Sequence, residues 1–111
     1  MRVEDGIVIL ADGVLSTHDV TFNLKKVLPI KKKIYIEIDG KPIGFIETKG
    51  KNTTLTCRVS KGGHTIRIKP NLIKYEVRAN IDHSGVMTVG FDMLDGYRIF
   101  NEDRMWDART I

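Results

Sequence analysis

Apolar residues recur at every second position through most of this chain. Ile34, Ile36 and Ile38 alternate with Lys33, Tyr35 and Glu37; Asp39-Gly40 interrupts, and Lys41-Pro42-Ile43-Gly44-Phe45-Ile46 resumes. A period of two is the signature of a strand with one buried face. Two such runs joined by Asp-Gly form a hairpin, because both turn residues must tolerate positive φ. Pro42 has no N–H to give to a ladder, so the second strand is expected at a sheet edge. Further on, Leu55, Cys57 and Val59 alternate, Gly62-Gly63 reads as a turn, and Thr65-Ile66-Arg67-Ile68-Lys69 alternates until Pro70-Asn71. Tyr75, Val77, Ala79 and Ile81 lie two apart. Asp82-His83-Ser84-Gly85 turns the chain, Met87, Val89 and Phe91 share a face, and Asp95-Gly96 precedes Tyr97-Arg98-Ile99-Phe100.

At the front, Ile7 to Leu10 is an apolar run, Asp12-Gly13 a turn or bulge, and Val20, Phe22 and Leu24 alternate. The reading is an all-β, antiparallel sandwich of about eight or nine short strands, with a small β-barrel as the alternative. Asn101, followed by Glu102 and Asp103, is the one place where a short helical turn is expected, at the C-terminus. No repeat, linker or low-complexity tract divides the sequence. Residues 1–111 read as a single β-sandwich-like domain.

The stretch from Ile34 to Ile68 has a further cadence: a strand, Asp39-Gly40-Lys41, Gly44, a polar segment, Leu55-Thr56-Cys57-Arg58-Val59, then Gly62-Gly63-His64-Thr65-Ile66-Arg67-Ile68. It resembles PEGA-like domains over about a third of the chain, although the Pro-Glu-Gly-Ala signature is absent. The resemblance implies an immunoglobulin-like sandwich that serves as an interaction or surface module without catalysis. It transfers no functional residue. His64 in this pattern is expected to sit at a turn end and bond a carbonyl.

Composition narrows the class. Of 111 residues, 41% are hydrophobic and 29% charged, which suits one globular core and excludes a disordered or fibrous chain. The longest apolar run, Ile7 to Ala11, is far below the roughly 20 residues that span a bilayer. No secretory signal is visible in Met1-Arg2-Val3-Glu4-Asp5-Gly6, so a complete chain of this sequence is expected to be cytoplasmic. The single cysteine, Cys57, is expected to be a small buried hydrophobe.

Charge changes the picture more. The net +4 conceals 14 bases against four acids in residues 25–78, a balance of +10, between two ends of −3 each. Such a field could steer an anionic partner. It could equally be a solvated outer sheet face in which lysines keep edges from pairing. A third arrangement sets the acidic ends of one subunit against the basic middle of another, giving a homo-oligomer. The candidate partner- and anion-binding residues are Lys31, Lys32, Lys33, Tyr35, Lys49, Lys51 and Lys61, and Trp106 is a candidate partner anchor.

Chemistry is sparse. His18, His64 and His83 are far apart, and no spacing among them suggests a metal site. His18-Asp19 and Asp82-His83 would point to opposite faces of an extended chain. No nucleophile elbow or phosphate loop is present, and no catalytic residue, metal or cofactor is assigned. The expected function is non-enzymatic: a protein–protein interaction, accessory or assembly module. The alternative is a nucleic-acid-binding β-domain that uses the basic stretch 25–78.

Overall fold

A computed structural model describes residues 2–11, 13, 15–24, 33–47, 53–70, 74–92, 96–101, 104–107 and 109–110, those from 91 onward by backbone alone. The described chain is all-β in two sheets, with no helix and no closure into a barrel. Its strands are β1 (Arg2–Glu4), β2 (Ile7–Ile9), β3 (Thr17–Leu24), β4 (Lys33–Ile38), β5 (Lys41–Glu47), β6 (Thr54–Ser60), β7 (Gly62–Lys69), β8 (Tyr75–Ile81), β9 (Gly85–Asp92), β10 (Gly96–Asn101), β11 (Arg104–Asp107) and β12 (Arg109–Thr110). The nine strands β2 to β10 fall on the runs read from the sequence, and β1, β11 and β12 are additional short strands.

The first sheet has the order β1-β2-β6-β3-β9-β10-β11 and the second β12-β8-β7-β4-β5. The ladders are antiparallel but for two: β2 runs parallel to β6, and β3 parallel to β9. Alternation alone predicts strands and faces, not the direction of a neighbour. Parallel neighbours arise because the chain passes from one sheet to the other between paired strands. One such passage is at Lys61, between β6 and β7. The Gly62-Gly63 pair, read as a turn, therefore opens a strand: Gly62 and Gly63 pair with Ile81 and Asn80. A second passage is the expected turn at Asp82–Ser84, between β8 and β9.

The core lies between the sheets. Phe22, Ile34, Ile36, Ile38, Ile46, Ile66 and Ile68 are its largest fully buried side chains, joined by Val59, Val77, Met87 and Val89. All but Ile46 fall on the alternating positions read from the sequence. Cys57 is buried among them, as expected, and burial pushes its thiol up to about 12, aided by the charges of Asp19 and Asp39. The Asp39-Gly40 hairpin has the geometry such a turn demands, with φ of 51° and 80°. A second hairpin of this kind, Asp5-Gly6 with φ of 50° and 79°, joins β1 to β2 and is not anticipated above. Pro42 lies on an edge strand, β5, as its missing donor requires.

At the C-terminus, Arg104–Asp107 pairs antiparallel with β10. Where a short helical turn was expected, the described residues form a hairpin; Glu102 and Asp103 lie outside them. Strand partners β10 and β8 supply the backbone bonds that a helical turn would otherwise have supplied locally.

Candidate interaction surface on the second sheet

Strands β4, β5, β7 and β8 turn one face to the core and the other outward. The outward positions include Lys33, Tyr35 and Glu37 on β4, Arg67 and Lys69 on β7, and Glu76 and Arg78 on β8. Register sets which of them meet: Tyr35 stands opposite Phe45 and Lys69, and Glu37 opposite Arg67, which in turn faces Glu76.

A β-bulge shapes the edge. Ile36 pairs with Gly44 but Glu37 pairs with Pro42, so Ile43 is an extra residue on β5. Beyond it, Phe45 comes opposite Tyr35, their ring centroids 5.6 Å apart and tilted by 56°. The Lys33 ammonium stands 4.7 Å above the Phe45 ring centre, within cation–π range. Tyr35 is 49% exposed. Beside the bulge runs an open groove of about 480 Å³ lined by Tyr35, Glu37, Pro42, Gly44 and Lys69.

The acids under this face are committed. Lys69 Nζ donates to Glu37 Oε1 at 2.9 Å, and Arg67 Nη1 stands 3.5 Å from Glu37 Oε2. Glu37 is only 8% exposed, yet its carboxyl is held below the ordinary range. The Lys69 hydrogen bond is the main cause; burial opposes it, and the positive charges of Lys69, Arg67 and Lys74 add to it. Arg67 Nε also reaches Glu76 Oε1 at 3.4 Å. On the first sheet, Arg58 Nε donates to Asp19 Oδ1 at 2.8 Å. Arg58, Arg67 and Lys69, three of the fourteen bases in residues 25–78, are thus paired across strands.

The candidate residues read from the sequence do not all meet. Lys33 and Tyr35 are brought together, with Phe45 and Lys69 added by the register. Lys61 sits at the β6–β7 passage, at the other end of β7 from Lys69. Eight residues of strand place it about 26 Å from the aromatic pair. Lys31, Lys32, Lys49 and Lys51 lie outside the described residues. Trp106 is in β11 opposite Ile99, described by its backbone alone.

The histidines deserve separate placement. Register gathers all three toward one end of the sandwich, with His18 beside Val59, His64 beside Ala79 and His83 after β8. Among the described residues, no group of three His, Cys, Asp or Glu side chains could hold a metal ion. Asp82 and His83 do meet, Oδ1 to Nδ1 at 2.5 Å, because the chain bends there instead of running extended.

His64 is the most enmeshed. Its Nδ1 lies 2.6 Å from Asp39 Oδ2 and its Nε2 lies 2.6 Å from the Ser60 carbonyl. Ser60 Oγ is 3.4 Å from the same Nε2, so Asp39, His64 and Ser60 have the outline of a nucleophilic triad. The chemistry differs. Nε2 stands 2.6 Å from the Ser60 carbonyl, an oxygen that can only accept, and 3.4 Å from Ser60 Oγ. The closer contact holds Nε2 as an N–H donor to the main chain and not as the acceptor a nucleophile's base must be. The carbonyl bond is as expected, but His64 stands within β7 and not at a turn end, since Gly62 and Gly63 are paired in that strand.

Among the described residues no helix is long and apolar enough to cross a membrane. No family model, no curated protein and no solved structure matches this chain.

Proposed function

We infer that this chain is a non-catalytic β-sandwich that works through protein–protein contact, using the outer face of the second sheet around Lys33, Tyr35 and Phe45. The observation that carries this reading is the pair of an exposed Tyr35 and a partly buried Phe45, capped by a lysine at the edge of a sheet. Half-exposed Tyr beside Phe gives large contact area at little rotamer cost, the composition that dominates protein interfaces. The satisfied His64 supports a role without catalysis. So does the PEGA-like cadence of residues 34–68.

Nucleic-acid binding draws less support, since Arg58, Arg67 and Lys69 are paired with Asp19, Glu37 and Glu76. A single aromatic pair is also short of a stacking platform.

The test compares the immobilised wild-type chain with Tyr35→Glu as bait, alongside light scattering of each. Protein recovered by the wild type, or self-association, should be lost in the variant while its circular dichroism is unchanged. A strictly monomeric wild type that recovers nothing the variant does not also recover overturns the reading. Binding to single- or double-stranded probes that weakens steeply with salt would favour nucleic acid instead.

A further inference from the structure

We propose that Asp5, at the tip of the β1–β2 hairpin, is a modification site: its side chain closes on the Gly6 nitrogen, converts the Asp5-Gly6 linkage to an isoaspartyl one, and so releases β1 from its sheet.

The chemistry is internal to the chain. An aspartyl Cγ and the next residue's nitrogen close a five-membered ring when they join, which gives the attack the advantage of an intramolecular reaction. A following glycine obstructs it least, having no Cβ beside that nitrogen. The Gly6 nitrogen attacks Cγ of the protonated Asp5 carboxyl. A Cγ–N bond forms, the Cγ–OH bond breaks, and the hydroxyl leaves with the amide proton as water. Water then adds to the main-chain carbonyl of the cyclic imide, and the bond from that carbonyl to nitrogen breaks. Gly6 is left joined to Cγ, in an isomer of the starting chain with nothing oxidised or reduced.

Two Asp-Gly turns are described, and their hold differs far more than their shape. Their φ angles are nearly the same, 50° and 79° at Asp5-Gly6 against 51° and 80° at Asp39-Gly40, and all four residues are exposed. Asp39 is fastened by its side chain and its main chain. Oδ1 accepts the Thr65 N–H at 2.9 Å, Oδ2 lies 2.6 Å from His64 Nδ1, and the Asp39 N–H donates to the Thr65 carbonyl at 2.8 Å. Among the described residues no donor reaches the Asp5 carboxylate, and Arg2 on the same strand stands 3.5 Å from Glu4. The flanks differ too. Asp39 follows Ile38, a core residue at the end of a six-residue strand, whereas Asp5 ends a three-residue exposed strand that pairs with β2 alone. A short exposed edge opens at little cost, which leaves the Asp5 carboxyl free to swing over the Gly6 nitrogen. Asp12 and Asp95 also precede glycine and lie outside the described residues.

The product routes the main chain through Asp5 Cβ and lengthens a two-residue turn. Val3 then no longer meets Val8, nor Arg2 Ile9, and β2 becomes the edge of the sheet.

The experiment keeps the full folded chain near neutral pH for several weeks. Isoaspartate at each site is counted by fragment-ion mass spectrometry and by resistance to a protease that cleaves before aspartate only. A parallel sample in about 6 M guanidinium sets the rate of each site in the unfolded chain. Unfolded, Asp5 and Asp39 should convert at similar rates. Folded, Asp5 should keep most of its rate while Asp39 slows by roughly tenfold or more, since its carboxylate must first leave its bonds. His64→Ala should speed Asp39 severalfold and leave Asp5 unchanged. Conversion of Asp39 as fast as Asp5 in the folded chain, or equal slowing of both by folding, overturns the proposal. The purified isoaspartyl chain should lose the Val3–Val8 contact in NMR spectra, and a product that keeps it overturns the release of β1.

Discussion

Asp39 and His64 are joined across 25 residues, carboxylate Oδ2 to ring Nδ1 at 2.6 Å. The same Asp39 accepts the Thr65 N–H at 2.9 Å through Oδ1, and its own N–H donates to the Thr65 carbonyl at 2.8 Å. His64 continues to the Ser60 carbonyl, so a hairpin tip of one sheet is clasped to the last residue of a strand in the other. Asp39 also holds a positive φ, which Asn tolerates and Ala does not. Asp39→Asn should therefore cost only about 0.5–1 kcal/mol, since the Asp39 side chain is about half exposed. Asp39→Ala should cost about 2 kcal/mol, adding backbone strain to the lost bonds. Urea midpoints measure both; equal losses would mean that the turn conformation contributes nothing.

Acid should loosen the fold through two carboxylates. Glu37 is held below its ordinary 4.5, chiefly by the Lys69 hydrogen bond. Asp39 is pushed up by burial, but the bonds from His64 and the Thr65 N–H outweigh this and hold it below its ordinary 3.8. Below those ordinary values the unfolded chain binds protons that the folded chain refuses, so stability rises with pH there. It is fully present above about pH 5 and is lost as pH falls through the folded values. Urea unfolding from pH 7 to pH 2 should show this, and Glu37→Gln should flatten the slope. An unchanged slope in Glu37→Gln would remove Glu37 from the account.

How far the sequence reveals this molecule depends on the range of each interaction. The Asp39-Gly40 turn, the Pro42 edge and the buried isoleucines are readable because turn chemistry and alternation are local. The aromatic pair is not. A two-residue turn that pairs Ile38 with Lys41 would, if regular, set Tyr35 against Gly44. The bulge at Ile43 shifts the ladder by one, brings Phe45 there instead, and lets Ile43 and Ile46 both be buried although they lie three apart. The Glu37–Lys69 and Asp19–Arg58 pairs span 32 and 39 residues and commit two of the central bases to cross-strand ion pairs. Nothing in spacing along the chain announces them. The Asp5-Gly6 hairpin was legible by the rule that found Asp39-Gly40, but its first strand has only three residues and no alternation to notice.

The Cys57 thiol should be inert in the folded state. It is fully buried between Val20 and Val8 in the ladder, and the thiolate that reacts with disulfide reagents is suppressed when the thiol is raised to about 12. A chromogenic disulfide reagent at pH 8 should label less than a tenth of the chain in an hour, and all of it in about 6 M guanidinium. Rapid labelling without denaturant would mean that the β3–β6–β2 ladder opens far more readily than a core strand should.

Gly44 should tolerate no side chain. Its φ of 141° is one that L-residues rarely adopt, and a Cβ there would lie 3.1 Å from Leu55 Cδ1. The Leu55 side chain is partly buried against the core, so its retreat would disturb packing between β5 and β6. Strain of this kind costs about 1–3 kcal/mol, and the displaced leucine adds to it. Gly44→Ala should lower stability by about 2 kcal/mol or more. Leu55→Ala leaves space and should cost about 2–3 kcal/mol alone. Combined, the two should cost less than their separate losses added together, because the truncated leucine no longer meets the new methyl group. A double-mutant cycle by urea denaturation measures this coupling. Strict additivity would place the whole cost of Gly44→Ala in the backbone and none in the Leu55 contact.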